Sequence, residues 1–128
     1  MDQNADISEC VMRGLRASQL TDSEVIELGK MRVDGRTRSV HFGKREWSRF
    51  RPKEFDLLYF LAAHAGKPVH RAKLYEKVWG VKLPPDAGGM LETVDTHILR
   101  LRKTLKEELE VRDWIVNKPG LGFMIKAP

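Results

Sequence analysis

Two rhythms of hydrophobic and polar residues run along the 128-residue chain, one close to a period of two and one close to 3.6. Residues 1–20 follow neither. Ile7, Val11 and Leu15 make a weak helical stripe that Gly14 and polar flanks interrupt, so residues 1–22 read as a flexible arm or linker ahead of a domain over 23–128. The two-residue rhythm starts near Ser23. Residues 24–28 and 30–33 read as strands separated by Gly29. Asp34-Gly35 predicts a two-residue hairpin turn into a strand over 38–42, with Val40 and Phe42 on one face. Gly43-Lys44 turns the chain into a fourth strand over 45–50. The expected product is a four-stranded antiparallel sheet with one apolar and one strongly basic face.

At Pro52 the period lengthens. Proline suits a first helical turn, and Glu54 places negative charge near the positive end of the helix dipole. Phe55, Leu57, Leu58, Leu61 and Ala62 make the helix over 53–64 a buried one, with Gly66 past its end. A short link, Pro68-Val69-His70, leads to a second helix over 71–79 that Gly80 closes. Residues 81–90, with Pro84-Pro85-Asp86-Ala87-Gly88-Gly89, have loop chemistry. From Leu91 to about Glu110 the third helix carries its apolar stripe on Val94, Ile98, Leu101 and Leu105. At about 100° per residue, Glu92, Thr96, Leu99, Arg100 and Lys103 face away from that stripe. Thr93, His97 and Thr104 fall on one flank, Asp95 and Arg102 on the other. Residues 114–117 and 123–125 are strands around a Gly-rich turn, where Gly120 and Gly122 permit a tight or bulged backbone. Three helices followed at once by a hairpin, behind a four-stranded sheet, predict an α+β fold of the winged helix-turn-helix type.

Composition narrows the function. Hydrophobic residues are 41% and charged residues 32%, a soluble globular balance. No apolar run approaches the ~20 residues of a membrane span, the N-terminus is acidic, and a cytoplasmic location follows by default. The single cysteine, Cys10, excludes a disulfide framework and any multi-Cys zinc site. The net charge of +5 suits polyanions, but its excess is local: residues 30–53 carry nine Lys/Arg against two Asp/Glu, and 91–128 seven against six. Simple electrostatics would put a polyanion near 30–53. Carboxylates are scattered and no Ser, His or Cys stands in a nucleophile motif, so neither an enzyme nor a metal or cofactor site is expected.

Four blocks of the chain resemble the OmpR/PhoB-type winged-helix effector domain of bacterial response regulators. They are Phe50-Arg51-Pro52-Lys53-Glu54-Phe55-Asp56-Leu57-Leu58; Val69-His70-Arg71-Ala72-Lys73-Leu74 with Val78-Trp79-Gly80; Thr93 through Lys103; and Ile115 through Phe123. The resemblance spans roughly residues 23–126. It implies a transcriptional regulator that binds double-stranded DNA, with a recognition helix at 91–108 in the major groove and a wing at 114–126 near the minor groove. It implies tandem half-sites, a homodimer, and a loop at 81–90 that touches RNA polymerase. Arg100 then becomes the candidate base reader, with Thr96 and Lys103 as base or phosphate candidates. Thr93, His97 and Arg102 would suit phosphate, as would Trp79 through its indole N–H; Lys118 and Gly120 belong to the wing. Departures stand beside the matches. The stretch before the sheet is too short for the receiver domain that usually precedes this one. Arg51 and His70 replace cap-forming Thr and Ser, Glu92 and Leu99 stand where basic or polar residues are common, and Pro119 replaces a frequent wing Arg. Leu99 could meet a thymine methyl or another protomer. An alternative use of the same fold is a protein-interaction module contacting RNA polymerase or a regulator partner.

Overall fold

A computed structural model of the chain describes residues 25–86 and 88–126. The arm expected over 1–22, with Cys10, lies outside the described residues. Strands β1 (Val25–Leu28), β2 (Met31–Asp34), β3 (Ser39–Phe42) and β4 (Arg45–Trp47) form an antiparallel sheet in sequence order. Helices α1 (Pro52–Ala63), α2 (Arg71–Trp79) and α3 (Gly88–Leu109) follow, then the hairpin of β5 (Ile115–Lys118) and β6 (Gly122–Ile125).

The sheet's inner face is the predicted apolar one. Met31, Val33 and Val40 are fully buried, and Ile26, Leu28, Phe42 and Trp47 pack around them. The outer face is not strongly basic. Its central row runs Glu27–Arg32–His41–Glu46 across the four strands, acid at both ends and base between, with His41 Nε2 3.8 Å from Glu46. Most of the excess lysines and arginines sit in the turns and connections or, like Arg45, at a strand end, and several find partners. Arg36 pairs with Asp34, Arg38 with Asp56, Arg45 with Glu110 and Arg51 with Glu54. Two of these pairs, Arg38–Asp56 and Arg45–Glu110, join the sheet region to the helical region.

The turn at Asp34-Gly35 also differs from expectation. Asp34 pairs with Ser39, so the loop holds four residues, not two. The buried Asp34 carboxylate organises it: Oδ1 accepts from the amides of Arg36 (2.9 Å) and Thr37 (3.4 Å), and Arg36 Nε donates to it as well. A side chain that caps two amides substitutes for the compact turn the dipeptide suggests. Burial alone would raise the Asp34 pKa, but these hydrogen bonds and the Arg36 charge outweigh it and hold the carboxyl below its ordinary 3.8. A lowered folded-state pKa means stabilisation that is complete above the unfolded value and is lost as pH falls below it. Asp34→Asn is therefore expected to cost about 1–2 kcal/mol at pH 7. Its deficit against the parent chain should shrink as urea melts are taken below pH 4.

The first two helices meet the expected bounds within one residue. Pro52 begins α1, with Arg51 contributing no side-chain cap. His70 does cap α2: its Nδ1 accepts from the Ala72 amide at 3.1 Å, doing the work of the hydroxyl it replaces. Gly80 ends α2 in the left-handed region with φ +73°. The β4 strand stops at Trp47, and Phe50 packs on Phe55 with ring centroids 5.8 Å apart. The α3 helix begins at Gly88, three residues before the expected Leu91, so Gly88, Gly89 and Met90 belong to it and the loop is correspondingly shorter. No helix of the described residues is long and apolar enough to cross a membrane.

Val94, Ile98, Leu101, Leu105 and Leu109 of α3 are at most 1% exposed, sealed against a core whose largest members include Phe55, Leu58 and Tyr59 of α1 and Leu74 of α2. Each such side chain contributes about 1.5–3 kcal/mol. That grip fixes the rotation of α3 about its own axis. The hairpin is fixed by a different device. Val69 forms a bridge with Phe123, its N–H donating to the Phe123 carbonyl at 2.8 Å and its carbonyl accepting in return at 3.0 Å. The link between α1 and α2 thus acts as a third strand for the wing.

Candidate nucleic-acid interface

The rotation of α3 decides which side chains reach solvent. Glu92, Thr96, Leu99, Arg100 and Lys103 are all exposed, and Thr93, Asp95, His97, Arg102 and Thr104 are half-buried on the flanks. The structure thus puts every one of these residues on the side its helical phase gives it.

The flanks are tied down. On one, Thr93 Oγ1 donates to the Gly89 carbonyl at 3.3 Å and His97 Nδ1 donates to the Thr93 carbonyl at 2.8 Å. The His97 ring meets Trp79 edge-on at 5.1 Å, so two site candidates far apart in sequence come together. Trp79 is half-buried, stacked on Tyr75 at 4.8 Å. Lys53 Nζ lies 5.9 Å from the indole centroid and donates to the Val78 carbonyl. Trp79 is therefore a packing residue at the junction of α1, α2 and α3, with part of its surface still open.

On the other flank Asp95 forms an ion pair with Arg71, the first residue of α2. Arg102 turns to the wing. Its Nε donates to the Ile115 carbonyl at 3.0 Å, and its guanidinium carbon lies 5.7 Å from the Phe123 ring centroid. These two pairs lock α3 to the helix before it and the hairpin after it. Neither pairing has a sequence signal, because each joins residues from separate elements. The same holds for Arg71 and Asn117, which line the cleft between α3 and the wing together with Leu99, Pro119 and Gly120. Both were missed by sequence reasoning.

At the wing tip Lys118 is exposed and pairs across the hairpin with Gly122. Pro119, Gly120 and Leu121 make the turn, closed by the Leu121 amide on the Lys118 carbonyl at 2.8 Å, with Gly120 at φ +79°. The assembled surface has exposed donors along α3, a cation at the tip of a hairpin, and a cleft between them. Among the described residues no group of His, Cys, Asp or Glu is placed to hold a metal ion. This surface offers hydrogen-bond donors and positive charge outward.

A three-helix core followed by a hairpin docked on the α1–α2 link is a winged helix-turn-helix. The family model for the C-terminal domain of transcriptional regulatory proteins matches residues 45–125. The chain belongs to this family, the OmpR/PhoB-type effector domains. It is 35% identical over 102 residues to the uncharacterized transcriptional regulatory protein YclJ of Bacillus subtilis, covering 78% of this chain and 43% of that protein. It is 33% identical over 106 residues to the sensory transduction protein RegX3 of Mycolicibacterium smegmatis, covering 83% and 44%. The chain therefore spans less than half the length of these relatives. Among solved structures, the DNA-binding domain of CpxR from E. coli superimposes with a TM-score of 0.66 at 27% identity, covering 82% of this chain and 98% of that one. The RstA DNA-binding domain of Klebsiella pneumoniae, solved in complex with the RstA box, gives 0.66 at 29% identity, covering 80% and 97%. The family is one of transcriptional regulators and not of enzymes.

Proposed function

We propose that this chain is a sequence-specific binder of double-stranded DNA that regulates transcription, with α3 in the major groove and the β5–β6 wing at the adjacent minor groove. The observation that carries the reading is the exposed row Thr96, Arg100 and Lys103 on a helix whose opposite side is sealed by five buried residues. A rigidly phased helix can present the same donors to the same base edges each time it docks. Arg100 reads a base with Thr96 beside it, and Lys103 on the same face reaches phosphate. Thr93, His97, Trp79 and Arg102 border the groove and meet phosphate, and Lys118 and Gly120 bring the wing to the backbone. Two copies occupy tandem half-sites. Residues 23–128 are the binding unit, preceded by a linker over 1–22, and the protein works in the cytoplasm. Val81 at the start of the α2–α3 connection and Met90 in the first turn of α3, both exposed, support a contact there with RNA polymerase.

Fluorescence anisotropy of a labelled duplex over a salt series tests the reading. Arg102, Lys103 and Lys118 are the cations assigned to phosphate, and the predicted log–log slope of affinity on salt is about −3 per protomer. Affinity that stays undetectable on genomic duplexes at low salt would remove DNA as the ligand and leave a protein-interaction role for the fold.

A further inference from the structure

We infer that Leu99 is a specificity-determining residue that reads the 5-methyl group of thymine in the major groove. The inference rests on the DNA-binding reading above and deepens it. Leu99 is 66% exposed, the most exposed large hydrophobic side chain among the described residues. Its neighbours on the outward face of α3 are Glu92, Thr96, Arg100 and Lys103, all polar. By helical phase Leu99 and Arg100 lie on opposite sides of the Thr96–Lys103 line, each about 50° from the direction that points straight away from the core. A docking pose that brings Arg100 to base edges on one side therefore brings Leu99 to them on the other.

The surroundings of Leu99 sharpen the choice of ligand. Arg102, Lys103, Lys106 and Glu107 wall a shallow groove beside it. The groove's lining is mostly apolar, as the methylene stems of these long side chains would make it. An apolar notch rimmed by three cations suits an apolar group carried on a polyanion. The major-groove edge of B-DNA offers one such group, the thymine methyl; its other features are donors and acceptors. Opposite a cytosine amino group or an adenine amino group, the same leucine would strip water from a donor and return no hydrogen bond. Leu99 thus favours thymine and disfavours the other bases at one position.

Deoxyuridine differs from thymidine by that methyl alone and keeps every hydrogen-bonding group. The chain is first used to select tight duplexes from a randomised pool. Each thymine of a selected duplex is then replaced singly by deoxyuridine. The expected result is a loss of about four-fold at one thymine per half-site, the effect of one buried methyl. Leu99→Ala should bind the thymine duplex more weakly by a similar factor and no longer distinguish thymine from uracil there. Circular dichroism and thermal melting of Leu99→Ala should match the parent, since the side chain is exposed. The inference is overturned if no deoxyuridine duplex binds the parent chain more weakly, or if Leu99→Ala keeps the full thymine preference. If no duplex is selected at all, the DNA-binding reading falls and this inference falls with it. Binding that is selective yet blind to the methyl sinks the inference alone.

Discussion

Gly122→Ala is expected to destabilise the domain by about 3–5 kcal/mol, read as a lowered midpoint in urea. A Cβ built at Gly122 would lie 2.0 Å from the Val69 carbonyl oxygen, 2.5 Å from its carbon and 2.7 Å from the His70 Cα. All three are backbone atoms, and none can swing aside as a side-chain end can. The backbone at Gly122 also has φ +122°, which L side chains rarely adopt. Relief requires the Val69–Phe123 bridge to open, and with it the seam that joins the wing to the helical core. Gly120→Ala is the control. Its φ of +79° is also left-handed, but a Cβ there meets nothing within 4 Å, so the cost is the backbone term of about 1–2 kcal/mol alone. Equal losses from the two substitutions would show that close approach is not what Gly122 provides.

Arg100→Ala is expected to lower affinity for a selected duplex by roughly five- to 150-fold while leaving affinity for a scrambled duplex nearly unchanged. Bidentate arginine–guanine pairing contributes about 1–3 kcal/mol of discrimination, and that contribution is absent from non-specific binding. Arg100 is exposed and forms no hydrogen bond or ion pair with a described residue, so its removal leaves no buried partner behind. Lys118→Ala differs in kind, since a phosphate contact weakens both duplexes alike and flattens the salt slope by about one unit. If Arg100→Ala weakens specific and scrambled duplexes equally, Arg100 contacts backbone and another residue of α3 reads the base.

The parts of this chain that were legible in its sequence are those governed by local period. The buried stripe of α3, its exposed row and both flanks follow from 3.6 residues per turn, because the whole apolar side of the helix meets one continuous core. The wing follows from a Gly-rich turn between two apolar runs. Where sequence reading failed, the cause was a contact between distant residues or a side chain acting on backbone. Gly88 and Gly89 have poor helix propensity, yet α3 includes them. Asp34 replaced a two-residue turn with a four-residue one by capping it from the side. The basic stretch over 30–53 commits two of its cations to distant partners: Arg38 is bound to Asp56 and the Pro52 carbonyl, and Arg45 reaches Glu110 just past the end of α3. Counting charge along the chain cannot see those partners.

For the candidate interface the same division holds. The exposed or half-buried state of Thr93, Thr96, His97, Arg100, Arg102 and Lys103 follows from helical phase. The roles of the flanking residues depend on tertiary neighbours: Arg102 is committed through Nε to the wing, and Trp79 is packed between Tyr75, Lys53 and His97. Arg71 gains its place beside Asp95 only when α2 and α3 are brought together.

The placement of α3 in the major groove and of the wing at the minor groove is most directly tested by methylation interference on a selected duplex. Dimethyl sulfate marks guanine N7 in the major groove and adenine N3 in the minor groove of the same molecules. The prediction is exclusion from the bound fraction of duplexes methylated at a guanine N7 within each half-site, with weaker exclusion at adenine N3 in the flanking minor groove. Interference confined to adenine N3, or none at any guanine, would contradict a recognition helix in the major groove.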